Sequence, residues 1–199
     1  MKRMNAALRS GTGSAFTLIE LLIVVGIISI LALIAVPNFL EAQIRAKVSR
    51  AKADMRTIAT AMESYCVDNR HYPPDYDANI YPGITMTDES RTYAELTTPI
   101  AYITSAPQDP FRPIPEAPQR GKYFEYFGKD AQPAYSTPAN IAAWEKTGTL
   151  WFIYSVGPDR VNDKLPANLD GPADYCYDPT NGTVSIGDFG RSNSRVSVP

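Results

Sequence analysis

The residues that build metal centres and catalytic sites are scarce in this chain. There is one histidine, His71, and there are two cysteines, Cys66 and Cys176. A zinc centre usually gathers four clustered Cys or His ligands, and this inventory does not supply them. A Ser–His–Asp or Cys–His arrangement would have to use His71, which stands beside a proline-rich loop without a supporting motif and reads as a surface residue. No glycine-rich phosphate loop is present, since Gly11-x-Gly13 falls in a basic N-terminal leader. Positive charge is not in excess either: 19 Lys and Arg face 21 Asp and Glu, which argues against a nucleic-acid surface. The chain is therefore not expected to be an enzyme.

What it has in abundance is one apolar run, from Gly13 to Leu40. Between Leu21 and Leu40 there is no charged residue, as long a stretch as a bilayer-spanning helix requires. A single carboxylate, Glu20, stands at its front edge. Such an acid in a membrane costs about 2.5–3.5 kcal/mol on insertion scales, so something has to cancel it. A secretory signal would be shorter and would end in a small-residue cleavage site, whereas this run leads into Val36-Pro37-Asn38. A plain anchor needs no acid. Cleavage before the run, after Gly13-Ser14-Ala15, would make Phe16 a new N-terminus with a free ammonium. Glu20 lies one turn below that amine, and a neighbouring helix shifted by about a turn would bring its own Glu20 level with it. Two charges unwelcome in hydrocarbon then pair only in the assembly, a device that fixes register.

These residues carry a resemblance. A short basic leader with Lys2, Arg3 and Arg9, a small residue, then Phe16-Thr17-Leu18-Ile19-Glu20-Leu21-Leu22 and Pro37 further on resemble the class III signal of type IV pilins and type II secretion pseudopilins. Ala15 stands where Gly is usual. The resemblance implies cleavage after Ala15 by a prepilin peptidase, methylation of Phe16, and assembly into a helical filament at an inner-membrane platform. It implies an α+β, pilin-like fold: a leader at 1–15, a membrane or filament-core half-helix at 16–40, and a periplasmic or extracellular domain at 41–199. That domain includes an amphipathic half-helix at 41–66 packed on a small antiparallel sheet. By the positive-inside rule the leader stays cytoplasmic and the domain leaves the cytosol. Without the leader, 16 basic residues face 21 acids. The function implied is a structural filament subunit, closest to the major pseudopilin of type II secretion. The alternative is a minor pilin or membrane-anchored binding module of lectin or adhesin kind.

Beyond Glu41 the pattern becomes one-sided: Ile44, Val48, Ala51, Met55, Ile58, Met62 and Tyr65 alternate spacings of four and three. Helix from Phe16 to about Tyr65 would be roughly 75 Å long, with Pro37 kinking or loosening it between the halves. A loop at 70–90 and a short helix at Tyr93–Leu96 follow. Pro107-Gln108-Asp109-Pro110-Phe111, then Tyr123-Phe124-Glu125-Tyr126, is similar to the start of the sheet in major pseudopilins. Strands are expected at Tyr123–Phe127, Leu150–Val156 and Thr183–Ile186, with a helix at Pro138–Glu145 and a loose Ser/Arg-rich tail from Gly190.

Two local sites stay open. Ser155, Asp159, Asn162 and Asp163 supply the oxygen donors a calcium ion takes, and Ser155-x-Gly157-x-Asp159 resembles the calcium loop of major pseudopilins. The other reading is a turn whose Asp and Asn bond their own backbone. Cys66 and Cys176 either pair in an oxidising compartment, tying the end of the helix to the C-terminal sheet, or remain separate buried thiols. Tyr72, Tyr76, Tyr81, Tyr93 and Tyr102 either form a sugar-stacking surface or pack over loops.

Overall fold

A computed structural model describes residues 16–75, 89–112, 122–129, 138–161, 177–178 and 187–193. The chain divides into two compact units, Met1–Leu40 and Glu41–Pro199. Helix α1, Leu18–Asn69, belongs to both, and Pro37 lies inside it without ending it.

In the second unit, the buried stripe of α1 shares one core with residues of two shorter helices and of the sheet. Val48, Ala51, Met55, Ile58, Met62 and Tyr65 are buried, as the spacing predicts, and Ile44 is packed at the edge of the core. Ala59 and Ala61 are buried as well, which widens the stripe and lets chain approach closely. The helix runs four residues past Tyr65 and stops at Arg70, whose φ of 64° is left-handed. The Arg70 N–H still reaches the Cys66 carbonyl at 2.8 Å, closing the end with the single bond of an αL cap. Tyr72-Pro73-Pro74 prevents any continuation.

Helix α2, Glu89–Glu95, begins four residues before Tyr93 and seats Tyr93 and Leu96 in the core. The Tyr93 hydroxyl donates to the Phe124 carbonyl at 2.9 Å, fixing α2 against the chain entering β1. The sheet has three antiparallel strands in the order β1 (Glu125–Gly128), β2 (Trp151–Ser155), β3 (Phe189–Ser192). Helix α3, Pro138–Thr147, lies between β1 and β2 in sequence and buries Trp144. Every residue of β2 is buried, which is why it reads as an unbroken Trp-Phe-Ile-Tyr run without alternation. Glu63 ties α1 to this strand: one carboxylate oxygen accepts from Trp151 Nε1 at 3.2 Å and the other from the Tyr72 hydroxyl at 3.0 Å.

The third strand corrects the sequence reading. Residues 190–192 are not a loose tail but part of β3, paired Tyr154↔Gly190, Ile153↔Arg191 and Phe152↔Ser192. Its polar composition hides it, because its role is to complete backbone pairing while Phe152 lies across Gly190. A Cβ at Gly190 would run into the Phe152 ring and come within 2.8 Å of the Ile153 carbonyl oxygen. Asn193 then closes the ladder, its side-chain oxygen accepting from the N–H of Leu150 at 2.7 Å and of Trp151 at 3.2 Å. The strand expected at Thr183–Ile186 lies outside the described residues.

Candidate assembly surface

The first unit offers one feature, the apolar half of α1. Its entry is built by Thr17 and Glu20. Glu20 Oε2 accepts from the Thr17 N–H at 2.9 Å and from its hydroxyl at 2.7 Å, while the Glu20 N–H donates to Thr17 Oγ1 at 3.3 Å. With Leu18 as the first helical residue, this is a reciprocal capping box that satisfies donors the helix cannot satisfy itself. Sequence reasoning treated Glu20 only as a partner for an amine and missed this role. The signal was present, since Thr17-x-x-Glu20 before an apolar run is the capping-box pattern.

From Leu18 to Leu40 the side chains stand outward. Phe16 is 76% exposed and Leu33 78% exposed, with the other large apolar residues of the run similarly uncovered. Among the described residues this is the one helix long and apolar enough to cross a membrane, and none of its apolar window is buried. Covering a single Leu or Ile is worth roughly 1.5–3 kcal/mol, so a surface of this size cannot rest against water and needs lipid or other helices. Within it the Ser29 hydroxyl is answered locally, donating to the Val25 carbonyl at 2.8 Å. Pro37 has no N–H to give to the carbonyl one turn earlier, the one missing rung. Ala15 lies outside the described residues.

In the second unit, the described members of the calcium set do not converge. Ser155 is fully buried, and its hydroxyl donates to Asp109 Oδ1 at 2.8 Å. Asp159 Oδ1 accepts from the Val161 N–H at 3.1 Å, the self-bonded turn that the alternative reading describes. Asn162 and Asp163 lie outside the described residues. Among the described residues no three His, Cys, Asp or Glu side chains group as a metal site. Asp109 is instead the centre of a buried turn: it also takes the Phe111 N–H at 2.9 Å, and burial pushes its carboxyl above the ordinary range despite those bonds and the Arg112 charge. Arg112 in turn pairs with Glu125 on β1.

Cys66 is a half-buried free thiol, and Cys176 lies outside the described residues. Tyr177 packs beside Phe189, and both rings take the Lys52 ammonium at about 6 Å. His71 is exposed, with Nδ1 2.9 Å from the Tyr72 carbonyl oxygen. The described tyrosines of the expected cluster are committed to packing: Tyr93 and Tyr72 as above, and Tyr102 with its hydroxyl on Asp68 at 2.9 Å and its ring edge-on to Tyr65. Tyr76 and Tyr81 lie outside the described residues.

Comparison with known proteins agrees with this architecture. The family model described as type II secretion system (T2SS), protein G, matches residues 38–144, more than half of the chain and almost entirely beyond the apolar run. The type IV major pilin protein PilA of Myxococcus xanthus is 51% identical over 57 residues, 29% of this chain and 26% of that protein. The type II secretion system core protein G of Pseudomonas aeruginosa is 47% identical over 60 residues, 30% of this chain and 42% of its own length. That of Vibrio cholerae is 35% identical over 113 residues, 56% of this chain and 70% of its own. The chain thus spans well under two thirds of the first two relatives. No solved structure matches. With the long apolar helix, the three-stranded sheet and the match through the domain taken together, the chain belongs to the type II secretion system protein G family.

Proposed function

We propose that the chain is a structural subunit of a filament of the type II secretion pseudopilus kind. It is inserted in the inner membrane with Lys2, Arg3 and Arg9 cytoplasmic and the domain on the periplasmic side. A prepilin peptidase cuts between Ala15 and Phe16, and an inner-membrane assembly platform passes the subunit into a helical array of its own copies. The observation that carries this reading is the uncovered apolar face of Leu18–Leu40 with one carboxylate at its edge.

The capping box refines the role of that carboxylate. Both Thr17 bonds fall on Glu20 Oε2, which leaves Oε1 for a second donor. In the cut chain the ammonium of Phe16 adds to the positive end of the helix dipole. A neighbour displaced by about one turn brings that ammonium to the carboxylate without undoing the cap. Pairing inside the assembly removes two isolated charges at once and fixes the axial step between subunits.

N-terminal sequencing and intact mass of membrane-extracted protein test the processing step: the expected chain begins at methylated Phe16, and an uncut Met1 overturns the reading. For assembly, Glu20→Ala is expected to leave the protein in the membrane while cutting filament yield by tenfold or more. Normal filaments from this variant would show that the charge pair does not set the register.

A further inference from the structure

The beginning of the domain half of α1 carries the densest positive charge in the chain. Over residues 41–56, about four turns, Arg45, Lys47, Arg50, Lys52 and Arg56 face Glu41 and Asp54, a surplus of three. From residue 57 onward the balance reverses, with eleven basic residues against eighteen acids. We infer that this collar binds anionic phospholipid headgroups at the membrane surface from which the domain emerges, an inference that rests on residues 16–40 spanning the membrane.

Spacing along the helix supports it. Arg45 and Lys47 follow Leu40 by about 7–11 Å of helix rise, and Arg50 and Lys52 by about 15–18 Å. The headgroup layer on each side of the hydrocarbon is about 5–8 Å deep, so the first two side chains reach it and the next two lie within about a Debye length of it. Arg45, Lys47, Arg50 and Arg56 are exposed. The pairs Arg45–Glu41 at 3.4 Å and Arg50–Asp54 at 3.7 Å are solvent-facing i,i+4 contacts, which are weak and easily exchanged. An arginine fork offers two donors to a phosphodiester, a better partner than a single exposed acid. Each cation near such a surface is worth roughly a fivefold gain in binding. The acidic remainder of the domain is repelled by the same surface, so it does not compete for the headgroups. A nucleic acid would meet that acidic remainder, and the acidic residues of a second copy are the competing partner.

The test uses the full-length protein in nanodiscs of phosphatidylcholine and phosphatidylglycerol in equal amounts, with native mass spectrometry counting the lipids retained. The wild type is expected to retain phosphatidylglycerol about tenfold over phosphatidylcholine. The variant R45Q/K47Q/R50Q/R56Q, which keeps the Lys52 ring contact, is expected to bring that ratio near one with an unchanged circular-dichroism melt. Wild type without enrichment, or a variant that keeps it, overturns the collar. A variant that keeps its lipid enrichment but loses filament formation overturns it in favour of a second copy. Protein that does not remain in the nanodisc at all sinks the membrane reading and the collar with it.

Discussion

At the scale of single residues, Asp109 shows how a polar side chain becomes structural. It is 5% exposed, and Oδ1 carries both the Phe111 N–H and the Ser155 hydroxyl, while Oδ2 has no hydrogen-bond partner. Burial raises its folded-state pKa above the unfolded value. Its contribution to stability is therefore complete below the unfolded pKa near 3.9 and is lost as pH rises through the raised folded value. Asp109→Asn keeps the acceptor and removes the charge. The variant is expected to match the wild type in thermal melts at pH 4 and to exceed it at pH 7.5. A variant less stable than wild type at pH 7.5 would show that the Arg112 charge outweighs desolvation. Sequence brought Asp109 into view only through the Pro-x-Asp-Pro run, and Ser155 only as a calcium donor. Nothing along the chain links positions 46 residues apart, so the bond between them was not legible. Arg160, just after the loop's Asp159, has a φ of 61°, the left-handed conformation that favours glycine.

Among elements, legibility followed periodicity. The α1 stripe repeats over several turns, and its members proved buried almost one for one. β2 was visible because a central strand must be apolar on both faces. β3 was not, since its four residues are Phe-Gly-Arg-Ser and only the first faces the core. What specifies β3 is fit: the absence of a side chain at Gly190 where Phe152 crosses it. Gly190→Ala is expected to destabilise the domain by about 2–3 kcal/mol, the cost of overpacking against a fixed carbonyl, read as a lower melting temperature and a change in tryptophan emission. A shift under 0.5 kcal/mol would mean that the sheet gives way more easily than its geometry implies.

For the molecule as a whole, the division of labour is between a helix half with no core of its own and a domain that has one. Among the described residues, the buried hydrophobic residues of the core lie between Val48 and Phe189. A fragment of residues 41–199 is therefore expected to be soluble without detergent and to melt cooperatively. Aggregation of that fragment, or a non-cooperative melt, would show that the apolar half supports the domain as well as carrying it. The apolar half and its lone acid were readable at once, because hydrocarbon tolerates so few sequences. The charge reversal between residues 41–56 and the remainder of the chain was equally present in the sequence.

The late position of β3 has a consequence for biogenesis. The strand that completes the sheet, and the asparagine that seals its edge, come more than 120 residues after the helix stripe with which the sheet shares a core. Closing so long a loop is slow, and the core cannot be finished until residues 189–193 have been made. A chain whose translation stalls short of that point leaves the β2 edge that β3 would pair with open.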